Sequence, residues 1–314
     1  MVNEVYLFRR VIKMYDIIIV GAGPAGLTAG IYARRANKTV LVIDKGSFGG
    51  QITFSPKIEN YPAFNEISGT ELADKILEQA LALGVDVEID TVENVIANED
   101  GTKSVIAMGN TYMSKAVIIA AGAAHRKLGI ENEEKFIGDG ISFCAVCDGA
   151  FYKDKSVVLI GGGNSAMQEA LQLSDVCTKV TMVQNLAFLT GEDKLAEQIA
   201  KKSNIQVIYN STVDSIIEHT DGTFAGINIK SGEEKTAIYA DGMFVAIGLA
   251  PENKPFENVA DLNDWGYIDA GESCTTKTEG VFVAGDCRSK NVRQIATAIA
   301  DGAIAAISAC KYIN

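Results

Sequence analysis

Histidine and tryptophan are nearly missing from this chain: its 314 residues carry two histidines, His125 and His219, and one tryptophan. Cysteine is little better represented. Of six, only Cys144 and Cys147 lie close together, while Cys177, Cys274, Cys287 and Cys310 are scattered singly. A structural zinc ion wants four ligands, and neither a second Cys-x-x-Cys nor a histidine pair exists to complete a set, so no metal site is expected. Basic residues are outnumbered, 28 Lys and Arg against 40 Asp and Glu, for a net charge of −12. No Lys/Arg stripe interrupts that balance, which excludes a nucleic-acid partner. No apolar run approaches the length of a membrane span. Val5–Phe8 is too short for a signal peptide and has no basic segment before it. Residues 1–13, with a small basic face of Arg9, Arg10 and Lys13, read as a leader outside the fold, and Met14 opens the domain. Five prolines against 30 glycines, with 47% hydrophobic residues, suit an α/β protein with many tight strand-to-helix turns. Few and mostly single cysteines fit a reducing cytoplasm and one working pair.

From Tyr15 the chain becomes explicit. Asp16-Ile-Ile-Ile-Val20 is a continuous apolar run, as expected of a parallel strand buried on both faces. Gly21-Ala22-Gly23-Pro24-Ala25-Gly26 follows, then a helical stretch to Ala36, then Thr39–Ile43 and Asp44. This is Gly-x-Gly-x-x-Gly in the context of strand, turn, helix, strand and acidic end residue that a dinucleotide requires. Gly21 permits the turn, Gly23 lets backbone approach a pyrophosphate, Gly26 lets helix and strand pack, and Asp44 can accept from ribose hydroxyls.

The unit recurs. Ser156–Ile160 leads into Gly161-Gly-Gly-Asn-Ser-Ala166, a helical stretch and Lys179–Val183, so that Gly21–Asp44 aligns without a gap on Gly161–Gln184. Ala116–Ala123 is echoed by Gly242–Leu249. The fold class expected is therefore α/β, with two Rossmann-like, three-layer ββα dinucleotide-binding domains, the second inserted into the first. Thr70–Leu83 reads as an amphipathic helix ended by Gly84, and Val85–Ile89 and Val105–Ala107 as strands. Near the end, Gly280-Val-Phe-Val-Ala-Gly285-Asp286 is a strand running into a Gly-Asp turn, with a small-residue helix from about Val292.

Within the inserted region stands Ile141-Ser-Phe-Cys144-Ala-Val-Cys147-Asp148-Gly-Ala150. Two thiols at this spacing can close and reopen a disulfide ring. A helix starting here would favour a thiolate through its free N–H groups, and Asp148 is placed to pass a proton to a departing thiolate.

Taken together, the two glycine fingerprints, Gly49-Gly50-Gln51, Cys-x-x-Cys-Asp in the second fold and Val-Phe-Val-Ala-Gly-Asp resemble the low-molecular-weight thioredoxin reductases, from Met14 to the C-terminus. The resemblance implies FAD in a discontinuous domain of residues 14–126 and 252–314, and a redox-active, NADPH-like domain of residues 127–251. It implies thioredoxin as substrate and a homodimer. Cys144 and Cys147 would be the catalytic pair, with Cys147 nearer the flavin and Asp148 the proton donor. Its FAD contacts would be Gly21, Ala22, Gly23, Pro24, Ala25, Gly26, Asp44, Lys45, Gly49, Gly50, Gln51, Asn60, Ala121, Gly122, Gly285, Asp286, Arg293, Gln294 and Ile295.

One departure matters more than the matches. Ordinary members follow the second fold's second strand with His-Arg-Arg and a further Arg, cations that hold the 2′-phosphate of NADPH. Here Gln184–Asp193 contains no Arg, Lys or His, while Glu192 and Asp193 are acidic. In this the chain is similar to the ferredoxin-dependent flavin thioredoxin reductases, and ferredoxin is the expected electron donor. Two alternatives stay open: an NADPH enzyme whose cations come from elsewhere, such as Lys201 or Lys202, and a flavin dithiol oxidase or redox sensor.

Overall fold

The computed structural model describes residues 13–46, 48–55 and 58–314. The leader expected at residues 1–13 lies outside them except for Lys13. The chain divides into two compact units. One takes the N-terminal stretch to Ile52, Glu71–Ala123 and Pro251–Asn314; the other takes Thr53–Thr70 and Ala124–Ala250. The expected division left residues 53–70 with the first unit, whereas here they group with the second.

In the first unit, strands β1 (Met14–Val20), β2 (Val40–Asp44), β3 (Asp86–Ile89), β4 (Val92–Ala97), β5 (Lys103–Ala107) and β6 (Thr111–Ile119) form one sheet in the order β3-β2-β1-β6-β5-β4. The strand Val281–Val283 joins it beside β6. The core strands β3, β2, β1 and β6 run parallel, and β4–β5–β6 form an antiparallel meander. Alternation along β1 explains its continuous apolar run. Ile17 and Ile19 face a core shared with helix α1 (Pro24–Arg35) and the C-terminal helix Ile295–Tyr312, whereas Ile18 and Val20 face Val95 and Val105 of the meander. From Ile17 to Val20 the strand is buried on both sides, which is why its apolar residues run without interruption there. Helix α2 (Gly69–Ala82) follows the amphipathic expectation to within a residue at each end, and Gly84 beyond it takes a left-handed conformation.

The second unit repeats the plan. Strands β7 (Ala124–His125) and β16 (Leu249–Ala250) pair at its two chain crossings. Strands β8 (Ile141–Ser142), β9 (Ser156–Ile160), β10 (Lys179–Val183), β11 (Ile205–Ile208) and β15 (Gly242–Val245) form a parallel sheet in the order β11-β10-β9-β15-β8. One face carries helices α4 (Ala145–Asp148), α5 (Asn164–Ser174) and α6 (Asp193–Ala200). The other is covered by the antiparallel sheet of β12 (Thr212–Glu218), β13 (Phe224–Ser231) and β14 (Glu234–Tyr239), with Phe136 from the short α3 (Glu133–Phe136). Here too β9 alternates, Val157 and Leu159 toward the helices and Val158 and Ile160 toward the antiparallel layer. The mixed α/β class with two three-layer ββα units is what the doubled fingerprint requires.

The C-terminal helix α7 (Ile295–Tyr312) is a core helix of the first unit. Its 18 residues are long and apolar enough, by length and composition, to cross a membrane. In the fold it packs along α1, with Ala305, Ala306 and Ala309 in the core. Gly302 is needed there because a Cβ would stand 2.2 Å from the Ala25 carbonyl oxygen. Its one acid, Asp301, is buried against Arg288 and Lys290.

Candidate active site

Cys144 and Cys147 are joined in a disulfide, with their Cα atoms 5.3 Å apart. The chain arrives from β8, and Cys144 caps α4: its Sγ accepts from the Cys147 N–H at 3.2 Å, and its carbonyl accepts from Asp148 N–H at 3.0 Å. Both cysteines are half-buried, and Val146 between them is exposed. The pair therefore sits where an incoming protein disulfide can reach it, at the start of a helical turn that favours thiolate.

Asp148 ends the same turn. Its Oδ2 accepts from Ser142 Oγ at 2.6 Å, and Ser142 Oγ in turn accepts from the Cys144 N–H at 3.1 Å. Asp148 Oδ1 is buried and has no hydrogen-bond partner. Burial pushes the Asp148 carboxyl above the usual carboxylate range, and the Ser142 bond only partly offsets it. A carboxyl raised in this way holds its proton to higher pH than an ordinary carboxylate and can release it to a thiolate. Asp148 and Ser142 also line a cavity of about 290 Å³ with Asp139, Lys155 and Asp241, roomy and polar enough for water to resupply that proton.

Ser142 was not among the residues singled out from sequence, and nothing in its type or spacing marks it. Glu169 was missed as well, although it left a signal. On α5 the residues Ala166, Ala170 and Leu173 make a buried stripe, and position 169 falls on that stripe three residues after Ala166. Its Oε2 is buried and accepts no hydrogen bond, and burial pushes the carboxyl up to about 7.

In the first unit the fingerprint residues converge. Asp44 Oδ2 accepts from Ala22 N–H at 2.6 Å and Oδ1 from Gly46 N–H at 3.0 Å, tying the end of β2 to the glycine turn. Gly21 backs onto Ala120 and Ala121, with Gly122 next along the chain, and Gly49 N–H donates to the Ala22 carbonyl at 2.8 Å. Gly50 lies against Gly23, and Gln51 follows in the same short turn. At Gly23 itself an added Cβ would meet nothing within 4 Å, so the start of α1 is open to a ligand. Pro24 and Ala25 open α1, and Gly285 abuts Ala25. Asp286 Oδ1 is buried, lies 3.3 Å from Lys290 Nζ and accepts no hydrogen bond. Asp301 fixes this turn by accepting from Gly285 N–H at 3.1 Å while pairing with Arg288 and Lys290. Arg293 donates to the Asp286 carbonyl, Gln294 caps α7 in a capping box, and Ile295 begins the helix. An open glycine turn, a helix N-terminus and a buried carboxylate that accepts no hydrogen bond fit FAD: Gly21, Gly23 and the start of α1 would hold its pyrophosphate, and Asp286 would be available to its hydroxyls. Lys45 pairs with Glu252, and Asn60 lies in the stretch that groups with the second unit.

The corresponding turn of the second unit is filled differently. Gln184, the counterpart of Asp44, is 5% exposed. Its Nε2 donates to the Phe188 carbonyl at 3.0 Å and its Oε1 accepts from Asn185 N–H at 3.1 Å. A Cβ at Gly162 would lie 2.4 Å from Gln184 Nε2, so the side chain rests directly on the glycine turn. Thr190 N–H donates to the Gly162 carbonyl at 2.7 Å, and Asn164 Oδ1 accepts from Glu192 N–H at 2.7 Å. The segment from Gln184 to Glu192 is thus bonded onto its own fingerprint. Of the two lysines considered as substitute cations, Lys202 is paired with Asp175 at 2.5 Å.

Residues 15–302 match the family model of the pyridine nucleotide-disulphide oxidoreductases. The chain is 42% identical over 304 residues to the thioredoxin reductase of Bacillus subtilis, covering 96% of each. It is 41% identical to a 34.2 kDa protein in the rubredoxin operon of Clostridium pasteurianum, covering 96% of this chain and 98% of that one. Among solved structures, the thioredoxin reductase of Streptococcus pyogenes superposes with a TM-score of 0.90 at 36% identity, over 95% of this chain and 98% of that one.

Proposed function

The chain belongs to the pyridine nucleotide-disulphide oxidoreductase family as a thioredoxin reductase-type flavoprotein carrying FAD, and we propose that it reduces the disulfide of thioredoxin with electrons from reduced ferredoxin. The observation that carries the disulfide chemistry is the half-exposed Cys144–Cys147 disulfide at a helix start, with Asp148, its carboxyl raised by burial, on the same turn. FAD supplies the electron pair that opens this disulfide. When the pair opens, Asp148 protonates one departing sulfur. One thiolate then attacks the partner's disulfide to form a mixed disulfide, and the second thiol displaces the reduced partner, re-forming Cys144–Cys147. Ser142 orients Asp148 and holds the Cys144 backbone at once. The resemblance further supports a homodimer, which sedimentation of the purified protein tests.

The donor is argued from the second glycine turn. A 2′-phosphate is a dianion that needs Arg or Lys within bonding distance. At the position that receives adenosine ribose stands a buried, neutral Gln184, bonded within its own loop, and the residues after it are neutral until Glu192. Losing several charge-assisted bonds of about 1.5–3 kcal/mol each lowers NADPH affinity by orders of magnitude. The relative from Clostridium pasteurianum, whose operon carries rubredoxin, is a protein placed beside a small iron electron carrier. A second reading, NADPH as donor, is favoured by the likeness to the thioredoxin reductases of Bacillus subtilis and Streptococcus pyogenes. Anaerobic mixing with NADPH, NADH or reduced ferredoxin while following flavin absorbance separates them. Bleaching by ferredoxin alone is the expected result, and fast bleaching by NADPH overturns the choice of donor.

A further inference from the structure

Lys290 is a cation with almost no access to water: its side chain is 8% exposed. It stands in the loop between the Gly285-Asp286 turn and α7, and three groups surround its ammonium. Nζ donates to Asp301 Oδ2 at 3.1 Å and to Thr297 Oγ1 at 3.3 Å, and it lies 3.3 Å from the buried Oδ1 of Asp286. Asp301 has donors enough without it. That carboxylate accepts from Arg288 through Nη2 at 2.9 Å and Nε at 3.3 Å, and from Gly285 N–H at 3.1 Å. Thr297 belongs to the first turn of α7, where the helix dipole disfavours a positive charge.

Charge balance points the ammonium at Asp286. Arg288 and Asp301 neutralise each other, so the buried lysine beside them is left with a positive charge that would be costly unpaired. Asp286 supplies the matching negative charge. Its carboxyl has two environments. Oδ1 is turned into the cluster beside Nζ, while the side chain as a whole is 34% exposed, on the turn where Gly285 abuts Ala25 at the start of α1. Burial pushes this carboxyl up, and Lys290 is the strongest of the groups that pull it back. The other charged and titratable groups on the elements around the turn come from four places. The turn and its loop carry Cys287, Arg288 and Arg293, whose Nε donates to the Asp286 carbonyl at 3.3 Å. The segment behind it brings Tyr267, against the Arg293 guanidinium, and the exposed Asp269. Helix α7 brings Asp301, with Lys311 at its far end, and α1 carries Arg34 and Arg35 only in its last turn.

We propose that Lys290 is a positioning residue of the flavin site: by standing against the inner oxygen of Asp286 it keeps that carboxylate charged, as an acceptor for the hydroxyls of FAD. This rests on the reading of the chain as an FAD protein. The two cations beside one turn then have separate tasks. Arg288 orients Asp301, which fixes the Gly285 N–H, and Lys290 fixes the charge of the side chain next to it. A charged acceptor makes the stronger hydrogen bond to a hydroxyl, so a protonated Asp286 would hold FAD less tightly.

The test uses the whole FAD-loaded protein and reads FAD binding, with no electron donor or thioredoxin present. Serial dilution followed by flavin fluorescence anisotropy gives the FAD Kd from about pH 5.5 to 8.5. Lys290→Gln keeps a polar side chain and removes the charge. It should loosen FAD by about tenfold at the acid end, and by less as pH rises and Asp286 ionises unaided. Lys290→Arg should restore the parent profile. In an Asp286→Asn background, Lys290→Gln should have no pH-dependent effect. A loss that is the same at every pH marks packing alone and overturns the proposal, as does a pH-dependent loss that survives Asp286→Asn. If Lys290→Gln does not fold, the parent decides. Its Kd should stay level down to about pH 6 and below that of Asp286→Asn. A parent profile that coincides with Asp286→Asn, or that loosens steadily as pH falls from about 8, overturns the proposal. A parent that holds no FAD at any pH would sink the flavin site itself, and the proposal with it.

Discussion

Replacing Ser142 by alanine should make the acid at the redox centre hold its proton to higher pH. Ser142 Oγ donates to Asp148 Oδ2 at 2.6 Å, and it is the one hydrogen bond that pulls the Asp148 carboxyl back toward its ordinary value. A hydrogen bond to a charged group contributes about 1.5–3 kcal/mol, so its removal should raise the Asp148 carboxyl further above its ordinary value. The Cys144 N–H loses its acceptor at the same time, for a stability loss of about 1 kcal/mol. The assay is stopped-flow reduction of the Cys144–Cys147 disulfide by dithiothreitol from about pH 5 to 9, expressed as the ratio of variant to parent rate. The ratio cancels the ionisation of the reagent and isolates that of the protein's own acid. It should rise with pH, by about tenfold across the interval in which Asp148 ionises in the parent but not in the variant. A ratio that is flat or falls with pH would show that Ser142 does not govern this carboxyl, or that Asp148 is not the acid.

The buried lone cysteines carry a contrasting expectation. Burial pushes Cys177 and Cys274 up to about 11, so Cys177→Ala, Cys274→Ala and Cys310→Ala should keep most thioredoxin-reducing turnover, and its loss in any of them would place a further thiol in the reaction. Gly162→Ala should cost about 1–3 kcal/mol, because its Cβ would stand 2.4 Å from Gln184 Nε2. Adding Gln184→Ala should return most of that in thermal unfolding, and purely additive losses would mean the two residues do not press on each other. For Glu169, a folded-state pKa raised from 4.5 to about 7 gives stability that is full below pH 4.5 and lost as pH rises through 7. Glu169→Gln should therefore gain up to about 3 kcal/mol over the parent at pH 8 and nothing at pH 4, as read from urea midpoints.

Sequence pattern carried far in this molecule wherever geometry is local. Gly21–Gly26 and Gly161–Ala166 each fix a strand, a turn and a helix in order, and the apolar runs before them require cover on both faces. The Cys-x-x-Cys ring closes over a short stretch of chain, so its spacing alone marks it. What pattern missed depends on side chains meeting across elements. Ser142 joins Asp148 to Cys144 only because β8 leads the chain into α4, and Glu169 stands on another helix, α5, packed against α4, with its Oε2 buried and unpartnered. The absence of Arg, Lys and His from Gln184 to Asp193 was legible directly. That Gln184 would fold onto Gly162, and Thr190 bond to it, was not, because an absence of arginine does not say what takes its place. The apolar character of α7 was masked by Asp301, whose partners Arg288 and Lys290 lie outside the helix.

The claim that the Cys144–Cys147 pair hands electrons to a protein disulfide is tested most directly by trapping the exchange. Cys144→Ser and Cys147→Ser variants, each loaded with FAD, are mixed with thioredoxin whose resolving cysteine is replaced by serine and whose remaining thiol is activated as an aromatic disulfide. Whichever cysteine attacks the partner should form a covalent one-to-one complex, stable on a non-reducing gel and released by dithiothreitol, while the other variant forms it far more slowly. Mapping that bond to Cys144 or Cys147 is the predicted result. Neither variant forming the complex, or a bond mapped to Cys177, Cys274, Cys287 or Cys310, would contradict it.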